Sequence, residues 1–156
     1  MKKQNPQPGP NVVGMELKRS TCFIAVHDHD DALAFYRDAL GLEVRNDVKY
    51  EGMRWVTVGP PSQPDVNIVL EPPAAGPDAS PADKKAMSEL LAKGMLRGVI
   101  FTTDDCDATF EKIRAAGGEV LQEPMDQFYG VRDCAFRDPS GNMLRINQPR
   151  VGAAKS

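Results

Sequence analysis

The sequence carries one set of helix signals twice, at a spacing of 77 residues. Asp28 falls onto Asp105 and Gly41 onto Gly118, so a residue suited to cap a helix and a residue suited to end it recur together. The residues between them recur in kind: Asp30 onto Asp107, Leu33 onto Phe110 and Tyr36 onto Ile113. Agreement of cap, apolar face and stop signal indicates an internal duplication. The chain is therefore predicted to contain two copies of one module.

Each copy has the same order of strand-like and helix-like segments. The first consists of an apolar run at 22–26, a helix at 28–41 and β-rich segments at 42–50, 53–58 and 66–70. The second consists of a strand at 98–103, a helix at 105–118 and strands at 119–122, 131–136 and 142–147. Turn-forming residues separate the segments. The predicted fold class is α+β, built from two βαβββ modules.

The length of 156 residues fits one compact domain. We assign this domain to residues 18–149, with the first module at 20–71 and the second at 96–149. The intervening linker, 72–95, contains a short amphipathic helix predicted at 83–93. Residues 1–17 and 150–156 are expected to be a disordered leader and tail, since the leader is rich in Pro, Gly, Asn and Gln.

Composition excludes several classes of function. The longest apolar run, Cys22–Val26, is far shorter than the roughly 20 residues that cross a bilayer. The basic N-terminus has no apolar segment behind it, so no secretory signal is predicted. A net charge of −3 offers no general attraction to nucleic acid, and three widely spaced cysteines suggest buried or inert thiols. We expect a cytoplasmic protein that binds a small molecule, without nucleic acid or membrane as partner.

Two segments resemble a known superfamily. Val26–Val44 is similar to the strand and helix that open the module of the vicinal oxygen chelate superfamily, which includes glyoxalases, bleomycin-resistance proteins and extradiol dioxygenases. Phe136–Arg145 resembles the closing hairpin of that superfamily, and the resemblance extends over about residues 20–149. It implies that the modules form a cup-shaped mixed sheet around a small-molecule cleft, with the helices packed outside. The Asp138–Gly141 segment is expected to serve only as a turn.

The resemblance also specifies where a metal would be held. Members commonly bind a divalent ion through four side chains on four strands, and here those positions carry Thr21, Val69, Gly98 and Arg145. This set lacks the imidazole and carboxylate ligands that a catalytic ion needs. Neither a metal nor another cofactor is therefore expected. Glu71 faces the same side as Val69, two residues away, and is the one carboxylate that a shifted site would use.

Strand alternation predicts which side chains line the cup. Phe23 and Ile100 are expected to face inward, whereas Ile24 and Phe101 are expected to pack under the helices. A few polar groups in an apolar cleft are typical of a small-molecule site. The candidate ligand-binding residues are Trp55, Thr57, Asn67, Glu71, Thr102, Tyr129, Asp133, Arg145 and Asn147.

Three of these residues allow two interpretations each. Arg145 lies between two apolar residues and must be neutralised. It either binds a ligand carboxylate or phosphate through a bidentate contact, or forms an internal ion pair with Glu71 or Asp133. Trp55 either stacks on a ligand ring or belongs to the core. Tyr129 either closes over the pocket or packs on the surface.

The segment His27–Asp31 contains both histidines and three aspartates. Such a group invites a metal-site interpretation, but side chains at a strand-to-helix corner diverge. Carboxylates at a helix start are explained by capping and by the helix dipole. We therefore interpret this segment as a helix start.

Two function classes follow from these observations. The first is a metal-independent binding protein of the bleomycin-resistance type, acting as a homodimer whose cups are completed across the interface and holding an organic anion. The alternative is an enzyme related to the lyases, isomerases or dioxygenases of the superfamily. It would use a shifted metal site at Glu71, or Glu71 or Asp133 as a general base.

Overall fold

A computed structural model describes residues 14–150 of the chain. Its first half forms a four-stranded mixed sheet in the order β1-β4-β3-β2. The elements of this half are β1 (Thr21–Ala25), α1 (His29–Leu33) with a π-helical continuation (Ala34–Ala39), β2 (Glu43–Tyr50), β3 (Met53–Gly59) and β4 (Asn67–Glu71). The β1 and β4 strands are parallel, and the other neighbours are antiparallel.

The second half repeats this arrangement as a sheet with the order β5-β8-β7-β6. Its elements are β5 (Arg97–Thr102), α3 (Cys106–Ala115), β6 (Glu119–Asp126), β7 (Val131–Arg137) and β8 (Met143–Pro149). The parallel pair is β5 and β8, which matches β1 and β4 of the first half. The predicted fold of two βαβββ modules is therefore confirmed.

Equivalent contacts in the two modules support the duplication. Asp28 Oδ1 accepts the Asp31 N–H at 2.8 Å, and Asp105 Oδ1 accepts the Ala108 N–H at 3.0 Å, so each helix begins at its predicted cap. Each module also has an arginine that joins the first turn of its helix to the neighbouring strand. Arg54 contacts Asp30 and Asp47, and Arg132 contacts Asp107 and Asp126.

The helix ends differ between the modules. Gly41 has φ of +76°, as expected of a residue that ends a helix, but in the second module the positive φ of +93° falls on Gly117 rather than Gly118. The π-helical turn of the first helix contains one more residue than an α-helical turn, which accounts for the shift of one residue between the two positive-φ glycines. Gly118 is required for another reason, because a Cβ there would lie 2.7 Å from Cγ2 of Ile113.

Two other boundaries differ from the sequence prediction. The β6 strand continues to Asp126, through Pro124, because it is an edge strand that tolerates proline and two register shifts. The linker helix α2 (Pro81–Ala92) begins two residues before the predicted start, since Ser80 and Asp83 form a capping box and Pro81 suits the first turn. Of its apolar residues, only Leu91 is fully buried.

Each sheet presents one face to the helices and the other outward. Ile24, Val56 and Leu70 are buried under α1, as strand alternation predicts, and Phe136 and Leu144 are buried under α3. These residues belong to one hydrophobic cluster that spans both modules. The Cys106 and Cys134 thiols lie in the same cluster, whereas Cys22 is partly exposed.

The segment after β7 does more than turn the chain, which corrects the sequence prediction. Asp138 Oδ1 accepts the backbone N–H groups of Ser140, Gly141 and Asn142, each at 2.9 Å. Asp138 Oδ2 accepts the Tyr36 hydroxyl of the first module at 2.6 Å. Burial and the Asp138 carboxylate raise the pKa of Tyr36, so its hydroxyl stays protonated and donates.

Asn142 completes this contact between the modules. Its Nδ2 donates to the Ala25 carbonyl at 2.7 Å and to Asp138 Oδ2 at 2.8 Å. The His27 N–H also donates to the Ser140 hydroxyl at 2.9 Å. We call Tyr36, Asp138 and Asn142 the inter-module network, because these buried groups hold the end of β1 against the start of β8.

The predicted leader and tail are covered only in part. Residues 14–17 are exposed and have no regular secondary structure beyond a turn, while residues 1–13 and 151–156 lie outside the described residues. Among residues 14–150, none of the helices is long and apolar enough to span a bilayer.

Candidate functional site

The outward face of the first sheet is rich in exposed apolar side chains. Phe23 on β1 is 64% exposed and Trp55 on β3 is 42% exposed, so Trp55 is not a core residue of this chain. Val48 and Tyr50 on β2 are exposed beside Trp55, since register places Val48 opposite Trp55, whereas Phe23 lies on the other edge strand of the sheet. A contiguous apolar patch on a small domain marks an interaction or ligand surface.

Polar side chains border this patch along β3 and β4. Thr57 pairs in register with Val69, and Glu71 follows Val69 on the same face of β4. Glu71 makes no side-chain hydrogen bond or ion pair within residues 14–150, so its carboxylate is available at the surface. Asn67 is already engaged, because its Oδ1 accepts a hydrogen bond from Arg45 at 3.1 Å.

The outward face of the second sheet carries an ion pair. Arg145 Nη1 lies 3.0 Å from Asp133 Oδ2 and 3.0 Å from Gln122 Oε1. Asp133 is fully buried, whereas the Arg145 side chain keeps 25% of its exposure. Of the alternatives for Arg145, the structure contains the ion pair with Asp133, and Glu71 lies on the other sheet. Arg145 is therefore paired within the chain, and its contact with a ligand anion stays a prediction.

Asp133 accepts hydrogen bonds on both oxygens. Oδ1 accepts from Gln122 at 2.7 Å and Gln127 at 2.9 Å, and Oδ2 accepts from Tyr129 at 3.2 Å as well as from Arg145. Burial opposes ionisation of Asp133, but these hydrogen bonds and the positive charge of Arg145 outweigh it and hold the pKa of the carboxyl below its ordinary value. An ionised carboxylate with this many donors is a weak base, which disfavours Asp133 as the general base.

Gln122 and Gln127 were not among the predicted site residues. Gln122 stood at the predicted end of a strand, and the bulges of β6 bring it opposite Ala135, beside Arg145. Gln127 lies in the loop before β7. No local sequence pattern identifies either glutamine as a site residue, because each belongs to the site only through its contact with the buried carboxylate of Asp133.

The remaining candidates lie around this ion pair. Register places Thr102 of β5 opposite Asn147, and Asn147 opposite Asp133. Asn147 Oδ1 is buried and has no hydrogen-bond partner in the described part of the chain. Tyr129 is 56% exposed and its hydroxyl donates to the buried Asp133, and a role in closing over the pocket stays a prediction.

The charge of Asp133 should make stability depend on pH. Because the folded-state pKa is lowered, the contribution of the carboxylate is complete at neutral pH and is lost as the pH falls through and below about pH 4. We expect Asp133→Asn to lower the free energy of unfolding by about 2 kcal/mol at pH 7, because Arg145 loses its partner. Urea denaturation at several pH values should show this difference shrinking below about pH 4.

Asp107→Asn is a matched control for this experiment. Asp107 also pairs with an arginine, Arg132, at 2.8 Å, but it is exposed to solvent. An exposed ion pair contributes little, so this substitution should cost less than Asp133→Asn. Equal losses in the two variants would contradict the assignment of a buried charge to Asp133.

The positions at which the superfamily implies a metal do not fit one. Thr21 and Val69 lie on the first sheet and Gly98 and Arg145 on the second, and Arg145 brings a positive charge. A divalent ion needs anionic or neutral donors. Within residues 14–150, no group of three His, Cys, Asp or Glu side chains is close enough to hold an ion.

The side chains of His27–Asp31 diverge, as expected for a helix start. Asp28 caps α1 and Asp30 binds Arg54. His29 Nε2 lies 2.9 Å from the Leu70 carbonyl oxygen, and His27 Nε2 lies 3.2 Å from that of Ser88. These four side chains contact four different partners, so they do not converge on a common site.

The candidate residues thus form two groups on two sheets. Trp55, Thr57, Asn67 and Glu71 belong to the first outward face, and Thr102, Tyr129, Asp133, Arg145 and Asn147 to the second. The first face is mainly aromatic and apolar, whereas the second has a charged and hydrogen-bonded centre. Phe23 and Ile100, on the edge strands β1 and β5, are exposed, whereas Asp133 at the centre of the second face is buried within the chain.

Comparison with known proteins agrees with this architecture. The family model of the Glyoxalase/Bleomycin resistance protein/Dioxygenase superfamily matches residues 18–146, and the chain belongs to this superfamily. It is 30% identical to the Bacillus subtilis (strain 168) protein YurT over 126 residues, which is 80% of this chain and 94% of YurT.

Two solved structures extend the comparison. The crystal structure of UcmS2 is similar with a TM-score of 0.78 and 36% identity, over 85% of this chain and 98% of UcmS2. TnmS3, an antibiotic binding protein from Streptomyces sp. CB03234, is similar with a TM-score of 0.66 and 27% identity, over 86% of this chain and 98% of TnmS3. The superfamily and the fold anticipated from the sequence are therefore both confirmed.

Proposed function

We propose that this protein is a cytoplasmic, metal-independent small-molecule binding protein of the bleomycin-resistance type, which acts as a homodimer. In this proposal, the aromatic face of one protomer and the charged face of its partner enclose the ligand. The observation that carries the proposal is the pair of chemically different sheet faces, of which the first exposes large apolar and aromatic side chains on a small domain. A dimer related by twofold symmetry would form two equivalent sites.

The chemistry of the faces favours an aromatic ligand with polar substituents. Trp55 and Phe23 offer ring surfaces for stacking. Arg145 is held through Nη1, so its other nitrogens can donate to a ligand oxygen while Asp133 balances the charge. A neutral or weakly acidic oxygen, such as a quinone carbonyl or a phenol hydroxyl, suits this arrangement better than a fully charged phosphate. The antibiotic-binding relative TnmS3 supports testing aromatic antibiotics first.

Thermal shift measurements with aromatic antibiotics test the proposal. At about one hundred times its Kd, a ligand should stabilise the protein by about 2.7 kcal/mol, which raises Tm by about 5–10 °C. Trp55→Ala should weaken binding by about 2 kcal/mol, or roughly thirtyfold, because a central aromatic contact is lost. Prior treatment with EDTA should leave the shift unchanged.

Leu90→Ala is the matched control for Trp55→Ala. Leu90 is 41% exposed, much as Trp55 is, but it lies on α2 away from both sheet faces. This variant should bind as the unmodified protein does. A stoichiometric divalent metal that is lost on Glu71→Ala, together with loss of binding, would contradict metal independence.

One observation favours a second candidate function, an enzyme of the superfamily with a carboxylate base. Glu71 borders the aromatic face and has no side-chain partner within the described residues. A bound compound could therefore lose a proton to Glu71. Turnover of a bound compound that is abolished in Glu71→Gln, with binding retained, would establish this candidate over simple binding.

A further inference from the structure

The two ends of the seam between the modules are built differently. At one end, the inter-module network joins the segment after β7 to α1 and β1. At the other end, the repeat places Ile113 where the first helix has Tyr36, and Pro60 directly follows β3 where Asp138 directly follows β7. Neither replacement can form the hydrogen bond that closes the first end, so the duplication is asymmetric here.

The loop after β3 is instead held by its own module. Arg45 Nη1 donates to the carbonyls of Val66 and Pro64 at 2.6 and 2.9 Å, and Nη2 donates to those of Pro60 and Gln63 at 2.8 and 3.0 Å. Within residues 14–150, no hydrogen bond joins this loop to the second module. The loop therefore borders the space between the two modules at this end without filling it.

A cavity of about 700 Å³ occupies this open end. It lies mainly on the helix side of the sheets, between the end of the first helix, the loop after β3, α3 and β5. Ile68, Val99 and Ile146 give it an apolar floor, and Cys22 lines it from β1. The cavity shares Ile100 and Thr102 of β5 with the second outward face. The volume is within the range of about 300–1,000 Å³ that is typical of small-molecule sites.

The charges around the cavity have one sign. Its charged lining residues are Arg19 and Lys112, and no aspartate or glutamate lines it. Neither of these two cations forms an ion pair within the described residues. The whole chain has a net charge of −3, so the charge that lines this cavity is opposite in sign to that of the chain as a whole. Such a lining complements an anion with an apolar body.

We propose that this crevice between the modules is a second ligand site, which binds amphipathic organic anions such as aromatic sulfonates or carboxylates. It goes beyond the function proposed above, because the cavity has only Thr102 in common with the candidate residues of the two outward faces and requires no partner subunit. The apolar body would lie against Ile68 and Val99, and the acidic group would lie toward Arg19 and Lys112.

Fluorescence titration of the full-length protein with anilinonaphthalene sulfonate tests this site. Lys112→Gln should weaken binding about threefold and the double variant Arg19→Gln, Lys112→Gln about tenfold, as expected for partly exposed charge contacts. Lys112→Arg keeps the charge and should restore binding. The neutral analogue N-phenylnaphthylamine should be insensitive to all three variants. Binding that falls on Trp55→Ala but not on loss of the two cations would place the probe on the aromatic face and overturn the proposal.

Cys22 provides an independent test of location. It lines the crevice and is partly exposed, whereas Cys106 and Cys134 are buried. N-ethylmaleimide should therefore modify Cys22 first, and bound anilinonaphthalene sulfonate should slow this reaction about tenfold once the site is mostly occupied. At the same probe concentration, the protection should fall to about twofold in Arg19→Gln, Lys112→Gln, because the binding is about tenfold weaker. A Cys22 that reacts no faster than the buried cysteines, or one that the probe does not protect, would overturn the proposal.

Discussion

Replacing Asp138 by alanine should lower the free energy of unfolding by about 3–4 kcal/mol. The substitution leaves the backbone N–H groups of Ser140 and Asn142 without an acceptor and removes the partner of the Tyr36 hydroxyl, whereas the Gly141 N–H keeps the Asp138 carbonyl at 3.2 Å. Each unsatisfied buried group costs about 1–3 kcal/mol, and relaxation of the turn recovers part of that total. Urea denaturation followed by circular dichroism should report the loss. The effect combines a local turn defect with weaker contact between the modules.

Two further variants separate these contributions. Tyr36→Phe removes only the hydrogen bond from Tyr36 to Asp138. It should lower the free energy of unfolding by about 1–1.5 kcal/mol, because Asp138 keeps its other donors. Asp105→Ala removes a helix cap on the surface and should cost about 1 kcal/mol. A loss in Asp138→Ala no larger than that in Asp105→Ala would contradict the role assigned to the inter-module network.

Short-range signals explain why the fold could be predicted from the sequence. Asp28 and Asp105 cap their helices because a carboxylate at this position accepts a hydrogen bond from the first turn, whatever the rest of the chain does. Alternation along each strand is an equally local signal, and it assigned Phe23 and Ile100 to the cup-facing side of the sheets, away from the helices. Repetition of both signals then determined the number of modules and their order.

Long-range contacts were beyond such reasoning. Tyr36 and Asp138 are 102 residues apart, and nothing in the local sequence indicates that a turn aspartate accepts a phenol from the other module. For Arg145, the sequence required a counter-charge but left Glu71 and Asp133 as alternatives. Sheet membership decides between them, because Asp133 lies on the neighbouring strand of the same sheet.

Bulges account for the remaining errors in the predicted site. Strict alternation assumes one residue per register position, whereas β6 shifts register twice. These shifts bring Gln122 beside the ion pair and allow the strand to continue through Pro124. On β2, the register also shifts between Val44 and Asn46, so Arg45 lies at a bulge. Arg45 is the residue that holds the loop after β3. The irregular positions of β2 and β6 therefore place the side chains that contact the ion pair and the loop after β3.

Mixing two inactive variants should restore binding if each ligand site is shared between protomers. Trp55→Ala damages the aromatic face, and the double variant Asp133→Asn, Arg145→Met damages the charged face while removing both charges of the ion pair together. Removing both partners avoids an unpaired buried charge, so the double variant should fold. Each variant alone should bind an aromatic ligand about thirtyfold more weakly.

In a mixed dimer, one site combines both damaged faces and the other combines both intact faces. An equal mixture that is unfolded and refolded together should contain about half mixed dimers, and therefore about one quarter of all sites should bind with unmodified affinity. Isothermal titration calorimetry should detect this fraction as a tight binding phase that is absent from either variant alone. If both faces of one site belonged to the same chain, every site in the mixture would carry one damaged face. No tight phase would then appear, and the shared site would be excluded.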